Sequence, residues 1–600
     1  MTSRDFFRLL PAALAAAVFS ACGAGTAGGG GPDPQAQGVT VRVLPPSATL
    51  ATGGQTGFAA TVSGAANTSV TWSVDPPACG AITPVGLYTA PGSAGTCSVR
   101  ATSVADPARA ATATVTVVQP PVVGEPPQDP IDPTFQVQLV PQAGVSGAQR
   151  VNFAVPLPPG LLSDPSQIRV ALAPAGAELA AARRALASWP DGSLRSVQLQ
   201  VDVDVSTTST LDVAVGTAAA AGALTRVDVV DTLMIADGST GPRVWVLLPA
   251  EWLAVSRVAG TVIPQAAIPA GLNAWAAICD YARWNTDAFL PTSGTDRAVW
   301  LYDRPTAMYL GHAITGALSP LQSAYREAAI YRAGITGTGS ATRIGVPNGA
   351  TDLKYHYTQG MAIHYLMTGD DRFREAAENV AVRTHDLWPD PGYAGGADFW
   401  TERNAGFALL AYEWAIAVSD DRAATFVPWA DQAVTAYLAI QAVDANAWEP
   451  DARCFAHSAD AHGEPYGYVG CSPWMSAILA DGLDAYARRV GGAPAANARD
   501  GLVRLGRMIA RHGRDTAGRP FYWMGAGVNA AELDPYEEHW GESAYVVALA
   551  WHWGGRTDAA LRTAATSLVD GLATLGVAGQ LRSFNWQCRS APMAPYYLRQ

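Results

Sequence analysis

From Tyr302 onward the chain repeats one local pattern five times, and that repetition constrains its fold more than any other feature. Each unit opens on a cluster of aromatic and polar residues. A run with apolar residues at helical spacing follows, then a Gly, Ser or Asp break, then a second helical run. The clearest unit begins at Tyr355-His356-Tyr357-Thr358-Gln359, breaks at Thr368-Gly369-Asp370 and resumes from Asp371 to Val382. A Gly-Asp break between two apolar-periodic runs is the signature of an αα-hairpin. The other units open at Tyr302-Asp303-Arg304, Trp400 to Asn404, Cys471 to Trp474, and Glu537 to Trp540. One helix pair cannot bury its apolar face alone, so the five hairpins must stack. Stacked hairpins make an open solenoid or a closed α/α-toroid, and we expect the toroid over residues 291–600.

The aromatic-polar cluster precedes the first helix in every unit, while the turn between the helices is bland. Equivalent positions in stacked repeats share one end of the structure, so the clusters are expected to ring one mouth. Aromatic rings stack on apolar sugar faces and charged groups bond hydroxyls or carboxylates, so such a rim suits an oligosaccharide or polysaccharide. The alternative is that these residues are helix caps and boundary aromatics. The expected substrate-binding set is Arg304, Gln359, Trp400, Glu402, Arg403, Asn404, Tyr466, Trp474, Glu537, Glu538 and Trp540.

The first 22 residues read as a secretory signal. Arg4 and Arg8 precede a short apolar run from Leu9 to Phe19, too short to span a bilayer. Phe19-Ser20-Ala21-Cys22 resembles a bacterial lipobox, which implies cleavage before Cys22 and lipid on its thiol. Residues 23–36 are Gly-rich, a flexible tether. The expected location is therefore the cell envelope, at the outer membrane or cell surface, with the membrane met through the lipid anchor only. Nothing else in the 600 residues is long and apolar enough to cross a membrane. A net charge of −12 with only 15% charged residues argues against nucleic acid as a partner. Six cysteines besides Cys22 sit in an oxidising compartment and allow 15 pairings. Cys79 with Cys97 and Cys454 with Cys471 would each close a short loop, leaving Cys279 and Cys588 to pair at a distance.

Residues 37–118 carry short β-rich runs separated by Gly, Pro and Asn turns, with Trp72 as a candidate core residue of a sandwich. With Gly86-Leu87-Tyr88-Thr89-Ala90-Pro91 the segment resembles bacterial Ig-like domains, which serve as spacers or adhesive modules. Residues 119–134 form a proline-rich linker of extended type. Residues 135–290 hold a second β-rich domain, a barrel or sandwich, with strands expected at Phe135–Val140, Val151–Val155, Ile168–Leu172, Leu194–Val205, Leu211–Val215, Arg226–Val230 and Val244–Leu248. Within it, Phe153-Ala154-Val155-Pro156-Leu157-Pro158-Pro159-Gly160 and Trp189-Pro190-Asp191-Gly192-Ser193-Leu194-Arg195 resemble the N-terminal barrel of rhamnogalacturonan exo-lyase and YetA-like proteins. That resemblance implies a barrel followed by an α/α-toroid, the order expected here, and a carbohydrate-active function. Those enzymes carry a further C-terminal β domain, and none of their catalytic residues maps onto this chain one by one.

Two reactions suit the expected rim. Beta-elimination from a uronic acid needs a base, an acid and a neutraliser for the carboxylate. His356, Tyr357 and His539 are the candidate catalytic groups, with Gln359, Arg403 and Asn404 as neutralisers. Glycoside hydrolysis needs two carboxylic acids, which Glu402, Glu537, Glu538 and Glu542 would supply. The expectation is a polysaccharide lyase, with a hydrolase or a non-catalytic glycan-binding lipoprotein as alternatives. His457, His462 and Glu464 occupy an aperiodic loop with Tyr466 and Tyr468. Their spacing is unspecific for a metal and fits a sugar subsite better, so no cofactor or metal is expected. Phe584 to Arg589 is a further segment within reach of the mouth.

Overall fold

A computed structural model describes residues 38–91, 94–118, 132–346, 353–392, 400–442, 449–535, 538–574 and 581–599. Cys22 and Glu537 lie outside these residues, as do the segments expected as signal and tether and most of the expected linker. Among the described residues, a mostly-sheet N-terminal region and one short helix, Ala250–Ser256, precede a helical region of 13 helices from Thr286 onward.

In the first domain one sheet orders Ser47–Ala51, Ala110–Val118, Gly95–Ser103 and Val70–Asp75, and another orders Gln55–Gly57, Leu87–Thr89 and Ala81–Ile82. Its core holds Val99, Val115 and Tyr88, and Cys79 is bonded to Cys97. Trp72 is half-buried at the edge of this core rather than at its centre. Tyr88 is the fully buried aromatic, its hydroxyl donating to Cys79 O at 2.6 Å.

The second domain has two antiparallel sheets. One orders Ile168–Leu172, Thr210–Val215, Thr134–Pro141 and Val244–Leu247; the other orders Ala148–Pro156, Leu194–Asp204 and Ala181–Ser188. Six of the seven expected strands form. Arg226–Val230 does not: Val229–Thr232 is a 3-10 turn, and the Gln200 side-chain amide bonds both Val227 N and Val227 O at 2.9 Å, as a neighbouring strand would. Ala181–Ser188, Ala-rich and lacking β-branched residues, is a strand because the Trp189–Ser193 turn folds it back onto Leu194–Asp204. Gly192 takes φ 84° in that turn, and Asp191 accepts from Ser193 N and Oγ.

The helices are α1 (Ala250–Ser256), α2 (Thr286–Ser293), α3 (Arg304–Thr315), α4 (Leu318–Ala333), α5 (Gln359–Thr368), α6 (Asp371–Leu387), α7 (Glu402–Val418), α8 (Ala423–Ala442), α9 (Ser476–Arg489), α10 (Gly492–His512), α11 (Trp540–Trp553), α12 (Ala559–Gly571), α13 (Leu581–Ser590) and α14 (Ala594–Leu598). The five expected hairpins are α3/α4 through α11/α12. Their breaks follow from local chemistry: Gly316 and Gly369 end α3 and α5 in the left-handed region, and the Asp370 carboxylate caps α6. Helix α3 packs on α5, α5 on α7, α7 on α9, α9 on α11, α11 on α13, and α13 on α3. The even-numbered helices α4 to α12 pack each against its hairpin partner.

Two features join the parts. The polar side chains of the three-stranded sheet meet the C-terminal carbonyls of α5, which no intrahelical N–H reaches. Asn152 Nδ2 donates to Thr368 O at 2.9 Å and Ser196 Oγ to Leu366 O at 2.6 Å. The chain's last segment is also fixed to the start of the helical region. Cys279 is bonded to Cys588, and fully buried Arg304 pairs with Glu327 at 3.0 Å and donates to Asn585 Oδ1 at 3.0 Å. Arg304 is therefore a structural residue and not a substrate ligand. Cys454 is bonded to Cys471, and three disulfides mark an exported or extracellular protein. No helix among the described residues is long and apolar enough to cross a membrane.

Removing one partner of a buried ion pair strands the other charge, at a cost of about 3–5 kcal/mol. Arg304→Ala should therefore shift the denaturant midpoint of the helical region markedly downward, with Arg304→Ala/Glu327→Gln recovering part of the loss. Equal midpoints for Arg304→Ala and the parent would show that this junction does not hold the fold.

Candidate functional site at the helix starts

The residues that meet at the helix starts come from five places in the chain. Tyr302 precedes α3, Arg403 lies in the first turn of α7, and Trp474 precedes α9. His539 and Glu542 flank the start of α11, and Trp586 and Gln587 belong to α13. Trp474 is the hub. Its ring stacks on His539 at 4.4 Å and 6°, and on Trp586 at 5.5 Å and 18°. It also touches Tyr302 at 5.8 Å and Tyr522 at 5.6 Å, and the Arg403 guanidinium lies 5.8 Å from its centroid.

Local structure forces Tyr302 into this position. Tyr302 and Asp303 take φ of 72° and 54°, a left-handed pair without glycine. Each such residue costs on the order of 1–3 kcal/mol, and strain of this kind clusters where a side chain must be aimed. Two bonds hold it. The Tyr357 hydroxyl accepts from Tyr302 N at 3.0 Å, and the Asp303 carboxylate accepts from Thr306 Oγ1 at 2.8 Å and Gly360 N at 3.1 Å.

The electrostatics follow from burial. His539 Nδ1 faces Glu542 Oε1 at 3.3 Å, both groups fully buried. Burial disfavours the imidazolium, but the hydrogen bond and charge of Glu542, with Asp534 and Glu538 behind, outweigh it and raise the His539 pKa. The flanking indole faces favour the cation further. Burial raises the Glu542 carboxyl, against the pull of His539. Burial also holds Tyr302 as a neutral phenol, although Arg403 favours its phenolate.

The cluster gathers several polar atoms with unmet bonding, of a kind also found elsewhere in the fold. Tyr302 Oη, Arg403 Nε, Trp474 Nε1, His539 Nε2, Glu542 Oε2 and both polar atoms of the Gln587 amide are buried without a hydrogen-bond partner among the described residues. Buried polar atoms are ordinarily satisfied, so several unsatisfied ones in one place call for a partner, whether water or a ligand. Half-buried Tyr522 borders the cluster on the inserted sheet of His457–Ser458, Val469–Cys471, Phe521–Gly525 and Ala531–Leu533, and Tyr466 and Tyr468 lie just before the second of these strands. Tyr522 donates to Glu464 at 3.2 Å and Tyr468 to Glu532 at 3.1 Å. The loop expected between Trp448 and Cys471 is thus partly a sheet, ordered by strands that follow α10.

Of the residues expected at the mouth, Arg403, Trp474, His539 and Glu542 converge. The others are engaged elsewhere. His356 bonds Thr384 on α6 at 2.8 Å, and Tyr357 serves the Tyr302 backbone. Gln359 accepts from Arg589 deeper between the helices. Glu402 meets His457 Nε2 at 2.5 Å and accepts from Ser472 N at 2.8 Å, anchoring the sheet. His457 is thereby committed to structure as well. Trp400 is buried against Tyr437 and His457. Asn404 is buried in the first turn of α7, its N–H bonded to the Thr401 cap. Glu538 accepts from Ser583, and Trp540 packs on Gly571, where a Cβ would fall 2.0 Å from the ring. Tyr302 was legible only as a helix opener, because no sequence signal marks a tyrosine at positive φ.

No protein-family model matches this chain, and no curated protein matches it.

His539 above its ordinary 6.5 contributes stability that is fully present below that pH and is lost as pH rises through the folded value. Glu542, raised above its ordinary 4.5, binds a proton in the fold that the unfolded chain has released, so its contribution also falls as pH rises. The melting temperature should therefore decline as pH rises above about 4.5 through the Glu542 share, and further above about 6.5 through the His539 share, and His539→Gln/Glu542→Gln should flatten that slope. An unchanged slope in the double variant would show that the pair does not carry these shifts.

Proposed function

We propose that this is an exported, lipid-anchored protein that cleaves a uronic-acid-containing polysaccharide by β-elimination, with its site at the helix starts of an α/α-toroid. The packing of α13 on α3 supports a closed ring, and the Cys279–Cys588 bond supports it independently. The order of sheet domains before helices supports the resemblance to the rhamnogalacturonan exo-lyase and YetA-like family. The lipobox at Cys22 supports the anchor.

The convergence of Tyr302, Arg403 and His539, each with a buried unsatisfied polar atom, carries the chemical reading. In the proposed reaction Arg403 neutralises the uronate carboxylate with its planar fork. His539 Nε2 removes the proton α to that carboxylate, and Glu542 orients the ring. The β C–O bond breaks as the C=C bond forms, and the leaving oxygen takes its proton from the Tyr302 hydroxyl. A hydrolase needs two free carboxyl groups. Of the described candidates, Glu402 and Glu538 are already bonded within the protein and Glu542 is paired with His539, which favours elimination.

Because His539 must be neutral to act as base, turnover should rise with pH through its raised pKa. Glu542→Gln should move that limb toward acid pH. His539→Ala and Tyr302→Phe should each lower kcat by about 10²–10⁴-fold, with substrate affinity retained. Arg403→Ala should weaken binding of acidic glycans. The measurement is the absorbance of unsaturated uronide ends over a panel of acidic and neutral polysaccharides. New reducing ends without unsaturation would replace elimination by hydrolysis. Full activity in His539→Ala would remove the base from this site.

A further inference from the structure

The opposite ends of the same helices hold a second candidate site. A cavity of ≈ 680 Å³ lies where the Trp189–Ser193 turn of the second domain faces the C-terminal halves of α7 and α9. Gln359 and Asp481 lie at its inner end, Trp189, Asp191 and Arg195 on the sheet side, and Glu413, Trp414 and Asp484 on the helix side.

Most charges here are already paired. Arg489 bonds Glu413 at 2.8 and 2.9 Å, Arg488 bonds Asp484 at 2.8 Å, and Asp481 pairs with Arg589 at 2.8 Å. Arg195 is different. Its guanidinium lies over the Trp189 ring at 4.2 Å and the Trp414 ring at 5.2 Å, its Nε is buried without a hydrogen-bond partner, and no carboxylate forms an ion pair with it among the described residues. Burial lowers its pKa to about 10, with only the more distant charge of Glu413 opposing. Two indole faces hold the plane of the guanidinium and leave its edge as the bonding surface.

The surroundings narrow the ligand. Asp191, Asp481, Asp484 and Glu413 face the same space. Three of them are paired with arginines, which leaves them as acceptors for hydroxyl groups rather than as net charge, a set that an anion without several hydroxyls would leave unused. A ligand with one carboxylate and several hydroxyls meets both requirements: the carboxylate takes the Arg195 edge, and the hydroxyls donate to the surrounding carboxylates and the Gln359 amide. The volume falls within the range of small-molecule sites.

We propose that this cavity is a second, non-catalytic binding site for a uronic acid or short acidic oligosaccharide, with Arg195 as the carboxylate-binding group. The site is independent of the elimination reading, since none of its residues belongs to the cluster around Trp474. It also gives a role to Trp189-Pro190-Asp191-Gly192-Ser193-Leu194-Arg195 beyond turning the chain: the tight turn presents Asp191 and Trp189 to the cavity and places Arg195 on the returning strand.

The test is isothermal titration of the full chain with galacturonic acid, glucuronic acid, galactose and inorganic phosphate, in parent and variants. Binding of a uronic acid is expected, with galactose and phosphate at least tenfold weaker. In an Arg403→Ala background, which removes the uronate contact proposed at the helix starts, Arg195→Ala should abolish the remaining uronate binding. Arg195→Lys keeps the charge and stem but loses the fork, and should weaken it about tenfold; this variant decides the matter if Arg195→Ala fails to fold. His539→Ala, which should stop turnover, must leave this binding unchanged. Uronate affinity unaltered in Arg195→Lys, phosphate binding tighter than uronate, or no uronate binding at millimolar concentration would overturn the proposal.

Discussion

The fixing of α13 against α3 is the constraint on which the site depends. Arg304 is fully buried, and its charge is tolerated because Glu327, Asn585 and the Trp284 carbonyl surround it. The Asn585 amide in turn donates to the backbone of Val299 and Leu301. These bonds and the Cys279–Cys588 link hold α13 in place. One residue beyond Asn585, Trp586 reaches Tyr302 at 5.5 Å and stacks on His539 at 5.2 Å. Without the junction, the cluster around Trp474 would lose one wall and the strained Tyr302-Asp303 pair one of its supports.

Much of this architecture could be read from residue pattern. The five hairpins follow from apolar spacing interrupted by Gly and Asp, and each break is a cap with an identifiable bond. The sixth pair, α13 and α14, escaped because Pro592 and Pro595 break the periodicity and α14 is only five residues long. The strands were legible from alternation, but alternation does not say what a polar face meets. Asn152, Ser196 and Gln198 cover helix carbonyls instead of facing water.

The site was half legible for a related reason. A polar residue at a helix start can cap, pair or bind a ligand, and the sequence looks the same in each case. Thr401 caps, Glu402 pairs with His457, and Arg403 turns toward Tyr302 and Trp474, although the three are consecutive. Only the tertiary partners of each separate these outcomes. The same limit hid the second cavity, since Arg195 and Trp414 lie far apart in sequence and meet only when the sheet docks on the helices.

The central claim is that the unmet polar atoms around Trp474 exist to hold a substrate. The most direct measurement is a crystal structure of the His539→Ala protein with an acidic oligosaccharide. The account predicts a uronate carboxylate on the Arg403 guanidinium, with the glycosidic oxygen within hydrogen-bond distance of the Tyr302 hydroxyl. Saccharide bound only elsewhere, with Tyr302, Arg403 and Glu542 bonded to ordered waters or to one another, would contradict it.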